Sequence, residues 1–312
     1  MKQLFFLAIT AFYLMSSCQQ KKASMATDNL KGTQVEVTKA STEDPYDVYH
    51  ALLDNLAIGK AENVSIAVEK YKALYKGQPV TSADTGYVLF ENFYQKVNDE
   101  LNKVHEYDTA EYFISLVNDS EEPISKQLQE YRDLVQANGF LVDYQDGSTY
   151  LKQNRDFIAR HFYPFVSSTM QKYLAQVEKE NEDGFSTDGG IFITETEFVN
   201  RILWWENFVK QNPAFVMIWQ SKEKQKEYLT YFLEGMDNTP VMDMADSTKV
   251  NSYFADGYKL LDKVGPTSEA NRLVKPYFQA LQKGGKATAY RLLEEYREKE
   301  LIHTLYEEGC PY

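Results

Sequence analysis

The sequence predicts an all-α fold, an antiparallel helical bundle or curved helical stack carrying one short β-hairpin near residues 140–151. Three observations point there. From about Glu43 onward apolar residues recur at three- and four-residue spacing, the period of a helix with one buried face. A single stretch breaks that period with two short apolar runs around a turn signal. The hydrophobic fraction of 43% and charged fraction of 25% are those of a chain that can bury a core. With 23 Tyr and 18 Phe, that core should be strongly aromatic.

The first element is an address. Lys2 precedes the apolar run Leu4 to Met15, which ends in Ser16, Ser17 and Cys18. The run is too short to span a bilayer, which needs roughly 20 apolar residues. A positive start, a short apolar middle and small residues at the end describe a secretion signal over residues 1–17. Met15-Ser16-Ser17-Cys18 resembles the lipobox of bacterial lipoproteins, with Met where Leu is commoner. The resemblance is confined to this segment. It implies cleavage before Cys18 and acylation of its thiol, making the membrane a partner through an N-terminal lipid. Gln19, rather than the Asp that favours inner-membrane retention in such proteins, points to the outer membrane. The basic Gln20-Lys21-Lys22 lacks an acidic surface-export tag, which favours the periplasmic face. Residues 18–42 then read as a polar, flexible tether.

The folded part is expected over 43–312, with two lobes, 43–138 and 152–312, as one possible division. Phe90, Phe93, Tyr94, Val97 and Leu101 form one apolar face, and Ile124, Leu128, Tyr131 and Val135 another, with Pro123 near its start and Gly139 past its end. In "GFLVDYQDGSTYLK" the pair Asp146-Gly147 is the strongest short hairpin signal of the chain. Further stripes follow: Val166, Met170, Tyr173, Leu174 and Val177; Phe198, Ile202, Trp205 and Val209; Leu229, Phe232, Leu233 and Met236. The last is Leu273, Tyr277, Ala280 and Leu281, with Pro276 inside it. No tetratricopeptide, ankyrin or HEAT period is present.

Chemistry is sparse. The sequence lacks GxSxG, HExxH, a P-loop and GxGxxG, so it calls for no cofactor. Two cysteines, Cys18 and Cys310, make no disulfide framework and no thiolate metal spacing. Of the four His, His161 shares a face with Phe157 and Ile158 and reads as a partly buried core residue. Three places carry weak candidates. In "NEDGFSTDGGIFITETEF", Asp183 and Asp188 with two glycines suit Ca²⁺, whereas Thr194-Glu195-Thr196-Glu197 reads as a capping box and the glycines as a turn. Met242 and Met244 suit Cu(I) as thioethers, or core gap-filling. Trp204 shares a face with Phe208 and suits helix packing or a sugar or peptide groove.

The formal charge of −13 becomes −14 once residues 1–17, with one Lys and no acid, are removed. Such a surface repels phosphate backbones, so nucleic acid is not an expected partner. Function is therefore read as a lipid-anchored, non-catalytic binding or scaffold module of the cell envelope with an envelope protein as partner. An envelope hydrolase acting on glycan or peptide, or a capture protein for a small ligand or metal, is the alternative. An acylated Cys18 cannot also join Cys310. Intact-mass analysis of the membrane fraction is therefore expected to find acyl chains on Cys18 and a free Cys310 thiol; an 18–310 disulfide would overturn the anchor.

Overall fold

The computed structural model describes residues 43–106, 112–117, 123–145 and 147–304. The signal, the lipobox with Cys18, the tether and Cys310 lie outside the described residues. Eleven α-helices and three two-stranded antiparallel ribbons form among those described, a mostly all-α fold. No helix among them is long and apolar enough to cross a membrane.

The first helices are α1 (Pro45–Asn55), α2 (Glu62–Tyr75) and α3 (Val80–Glu106). Asp44 caps α1 through its side chain, with Pro45 in the first turn, where its missing N–H costs nothing. α3 places the predicted stripe Phe90, Phe93, Tyr94 and Val97 in the core. Tyr hydroxyls then tie helix to helix: Tyr49 donates to the Ala67 carbonyl at 3.1 Å and Tyr71 to Ala83 at 2.9 Å. The buried Tyr75 hydroxyl has no such partner; its ring lies against Gly86 of α3.

Next come a 3-10 turn at Tyr112–Leu116, α4 (Lys126–Ala137), β1 (Phe140–Gln145) and β2 (Ser148–Gln153). α4 starts later than its stripe suggested. Ser125 is the cap, so Pro123 and Ile124 lie ahead of the helix. The hairpin forms where Asp146-Gly147 predicts it, with Phe140 paired to Gln153 and Gln145 to Ser148; Gly147 has φ +85°. A lone ribbon is marginal in water, and here α3 supports it. Asn102 accepts the Leu151 N–H at 2.6 Å and donates to the Leu151 carbonyl at 3.0 Å. His105, also on α3, meets Thr149 at 2.9 Å and Tyr131 at 2.8 Å. The Tyr94 hydroxyl donates to the Gly139 carbonyl and accepts the Asn154 N–H, closing the hairpin's base.

The chain continues through α5 (Arg155–Phe162) and α6 (Ser168–Asp183), then α7 (Glu195–Gln211) and α8 (Ile218–Glu234). It ends with α9 (Ser252–Val264), α10 (Glu269–Gln282) and α11 (Lys286–Glu298). α7 packs on α8, α9 and α10, while α10 also carries α11. The capping box forms as read: Thr194 accepts the Glu197 N–H at 3.1 Å. Pro276 sits inside α10. Buried residues from Tyr49 to Ile302 form a core cluster that draws on all eleven described helices, α4 through Val135 rather than Leu128, and on both strands of the hairpin.

Two ribbons escaped the periodicity. β3 (Ser186–Thr187) pairs with β4 (Gly190–Ile191), and β5 (Gly235–Met236) with β6 (Thr239–Pro240). Two-residue strands are too short to show alternation. They also shorten the Leu229–Met236 stripe: Gly235, at φ +76°, ends α8, and Met236 belongs to β5.

Gly86 generates a stability prediction. Ala is worth about 1 kcal/mol more than Gly in a helix, but a Cβ at Gly86 would run into the Tyr75 ring. Overpacking of this kind costs about 1–3 kcal/mol. Gly86→Ala is therefore expected to lower the urea midpoint at unchanged slope; an unchanged or raised midpoint would show that Tyr75 yields freely.

Candidate functional site

A cleft of about 310 Å³ opens between α6, α8 and the end of β1, bordered by Val177, Glu180, Phe185, Lys224, Glu227 and Tyr228. Helical spacing assembles it. Val177 and Glu180 are one turn apart on α6, as are Lys224, Glu227 and Tyr228 on α8.

Glu180 is the centre. It is buried, and its carboxylate accepts from Trp205 Nε1 at 2.7 Å, Gln176 Nε2 at 2.7 Å and the Tyr228 hydroxyl at 2.9 Å. A carboxylate in the interior is tolerated only when its lone pairs are so occupied. The Tyr228 hydroxyl in turn accepts from Arg201 Nη1 at 3.2 Å, and Arg201, only 1% exposed, donates from Nε to Glu197 at 3.2 Å. Burial, then the Glu180 charge, pushes the Tyr228 phenol well above its ordinary range, so it stays protonated at neutral pH. Burial draws the Arg201 guanidinium down, but its bonds to Tyr228 and Glu197 and the Glu180 charge leave it raised overall. At the mouth, Lys224 pairs with Glu227 at 2.8 Å and stands 5.9 Å from the Tyr228 ring centre. The Glu180 carboxylate is thus fully engaged within the protein, while Arg201 Nη2 is buried without a hydrogen bond. Each buried ionisable group is already committed to another protein group.

Of the candidate ligand-binding residues read from sequence, only Asp183 joins this network: it lies 3.1 Å from Lys179 and 3.6 Å from Arg201 Nη2. Asp188 forms the β3–β4 turn at φ +47°, where its carbonyl accepts from the Asn238 side chain. Asn238 N–H also donates to the Gly189 carbonyl at 2.9 Å, so the two weakest-patterned loops dock tip to tip. Trp204 stacks on Phe208 with centroids 5.0 Å apart and packs against the core. Met242 packs on the core too, whereas Met244 is 77% exposed, so the thioethers do not share an environment. Asp243 and Asp246 accept backbone N–H groups of their own loop. Among the described residues no group of three or more His, Cys, Asp or Glu is placed to hold a metal. His161 is half-buried beside Phe157, and burial, then the Lys72 charge, lowers its pKa.

Sequence reasoning missed Glu180 and Arg201. A signal existed: Glu180 stands three residues after Val177, where the α6 stripe calls for an apolar residue. A charge at a core position announces a buried partner.

No family model, curated protein or solved structure matches this chain.

Tyr228→Phe removes one donor to Glu180 and the acceptor of Arg201 Nη1. It is expected to cost about 1–3 kcal/mol in urea unfolding. Tyr231→Phe, whose hydroxyl bonds no described residue, should stay within about 0.5 kcal/mol. Equal effects would show that the network adds nothing to stability.

Proposed function

We infer that the chain is a lipid-anchored, non-catalytic binding or scaffold module of a bacterial cell envelope. It is held by Cys18 at the outer membrane with its domain in the periplasm. The lipobox-like Met15-Ser16-Ser17-Cys18 and the polar segment after it support the anchor. The observation that carries the non-catalytic reading is the state of Glu180. General acid–base catalysis needs a side chain free to exchange a proton with substrate. Glu180 instead accepts three protein donors, and the phenol beside it is held protonated.

Two carboxylates, Glu180 and Glu227, border the cleft, the one observation on the side of a hydrolase. Glu227's ion pair with Lys224 and the satisfied Glu180 weigh against it. The acidic surface disfavours nucleic acid and favours a partner presenting basic groups.

In-cell crosslinking of the anchored protein, read by mass spectrometry beside Cys18→Ala, tests the reading. A reproducible envelope partner that is lost or displaced in Cys18→Ala is expected. Equal background capture by both forms would overturn it.

A further inference from the structure

A second cleft, of about 570 Å³, opens where the first turns of α3 and α6 meet the α7–α8 turn. That volume suits a small organic ligand. Thr81, Thr85, Ser167 and Thr169 line it, and the run Pro213–Val216 supplies an apolar wall. No Lys, Arg or His lines it; the only charge on its lining is Asp84.

Asp84 is 6% exposed, yet only half of its carboxylate is used. Oδ1 accepts the N–H of Ser167, the cap residue of α6, at 2.7 Å. Oδ2 takes no hydrogen bond from any described residue, and it is not sealed in the interior. A carboxylate this little exposed is poorly hydrated, so its open oxygen gains from a donor placed in the cleft. The chemistry of the missing partner follows by elimination. An anionic ligand meets like charge, and the positive end of α6 already has Asp84 as its anion. A neutral hydroxyl relieves the carboxylate weakly, since charge-assisted hydrogen bonds are roughly twice as strong as neutral ones. A cationic donor relieves it best, and a net charge of −13 draws cations toward the surface.

We propose that this cleft binds a small ligand through a protonated amine. The ammonium sits on Asp84 Oδ2, and the body of the ligand lies between the threonine and serine side chains and the Pro213–Val216 wall. An amino sugar and an aliphatic amine both present this chemistry. The site rests on the reading of the domain as a binding module but not on its protein partner. A cleft that takes no amine leaves a crosslinked partner standing, and a missing crosslink leaves the amine titration standing.

Isothermal titration of the full chain in detergent, with glucosamine and n-butylamine against glucose and n-butanol, tests it. At least one amine is expected to saturate the protein and its uncharged counterpart to bind at least ~10-fold more weakly. Preference for glucosamine identifies an amino-sugar site, and preference for butylamine an aliphatic-amine site. Asp84→Asn keeps an oxygen for the Ser167 N–H but removes the charge, and should weaken the amine at least ~10-fold. Thr81→Lys, at an exposed position one turn from Asp84, supplies a resident cation and should abolish binding even if Asp84→Asn fails to fold. Amine binding unchanged in Thr81→Lys, equal binding of the uncharged counterparts, or no saturation by either amine up to ~10 mM would each overturn the proposal.

Discussion

A phenol taken out of water is most stable with an acceptor for its hydroxyl, and for six tyrosines the backbone of a neighbouring segment supplies one, while Tyr75 is left without. Tyr49 of α1 reaches the backbone of α2, Tyr71 of α2 reaches α3, and Tyr94 of α3 reaches Gly139 at the hairpin's base. In the second half Tyr253 of α9 reaches Ile193, just ahead of α7, while Tyr258 reaches α8 and Tyr296 of α11 reaches α10. Each bond contributes only about 0.5–1.5 kcal/mol, but leaving the hydroxyl unpaired would cost about 1–3 kcal/mol. The penalty is what matters. An apolar contact tolerates a slide of an ångström, whereas a buried hydroxyl donates to one particular carbonyl and so fixes the register of two helices. The same logic runs through Trp205 and Tyr228, whose polar atoms converge on Glu180.

The long stripes were legible because burial on one side of a helix writes a period into the sequence. Phe90 to Val97 and Phe198 to Trp205 are buried as that period requires, and the Asp146-Gly147 turn signal placed the hairpin. What escaped falls into two physical kinds. The ribbons at Ser186–Ile191 and Gly235–Pro240 have strands of two residues, too few for any period, and they are held by each other's tips. Glu180, Arg201 and Asp84 are charged residues at inward positions, where a hydropathy reading sees an interruption. Several of their partners are distant in sequence: Glu180 finds Tyr228, Arg201 the same Tyr228, and Asp84 finds Ser167. No local pattern encodes those meetings.

The two clefts differ in how they treat charge. Around Glu180 the carboxylate is fully engaged, with three donors supplied from inside the protein. The Asp84 carboxylate is open, with one oxygen bound and one not. A closed network gives rigidity and shape, because rearranging it would strand a buried charge. An open one gives affinity, because it gains from whatever completes it. The two clefts lie at opposite ends of α6.

Asn102 shows how a helix can stand in for a strand. Its amide offers Leu151 one donor and one acceptor, the pair a neighbouring strand would present at that point of the ladder. An uncovered ribbon edge is a template on which another molecule can nucleate cross-strand pairing. By occupying that position from within the same chain, Asn102 makes the outer margin of β2 unavailable for edge-to-edge assembly at Leu151. Wherever the local concentration of the protein is high, such a stopper guards against polymerisation as much as it supports the fold.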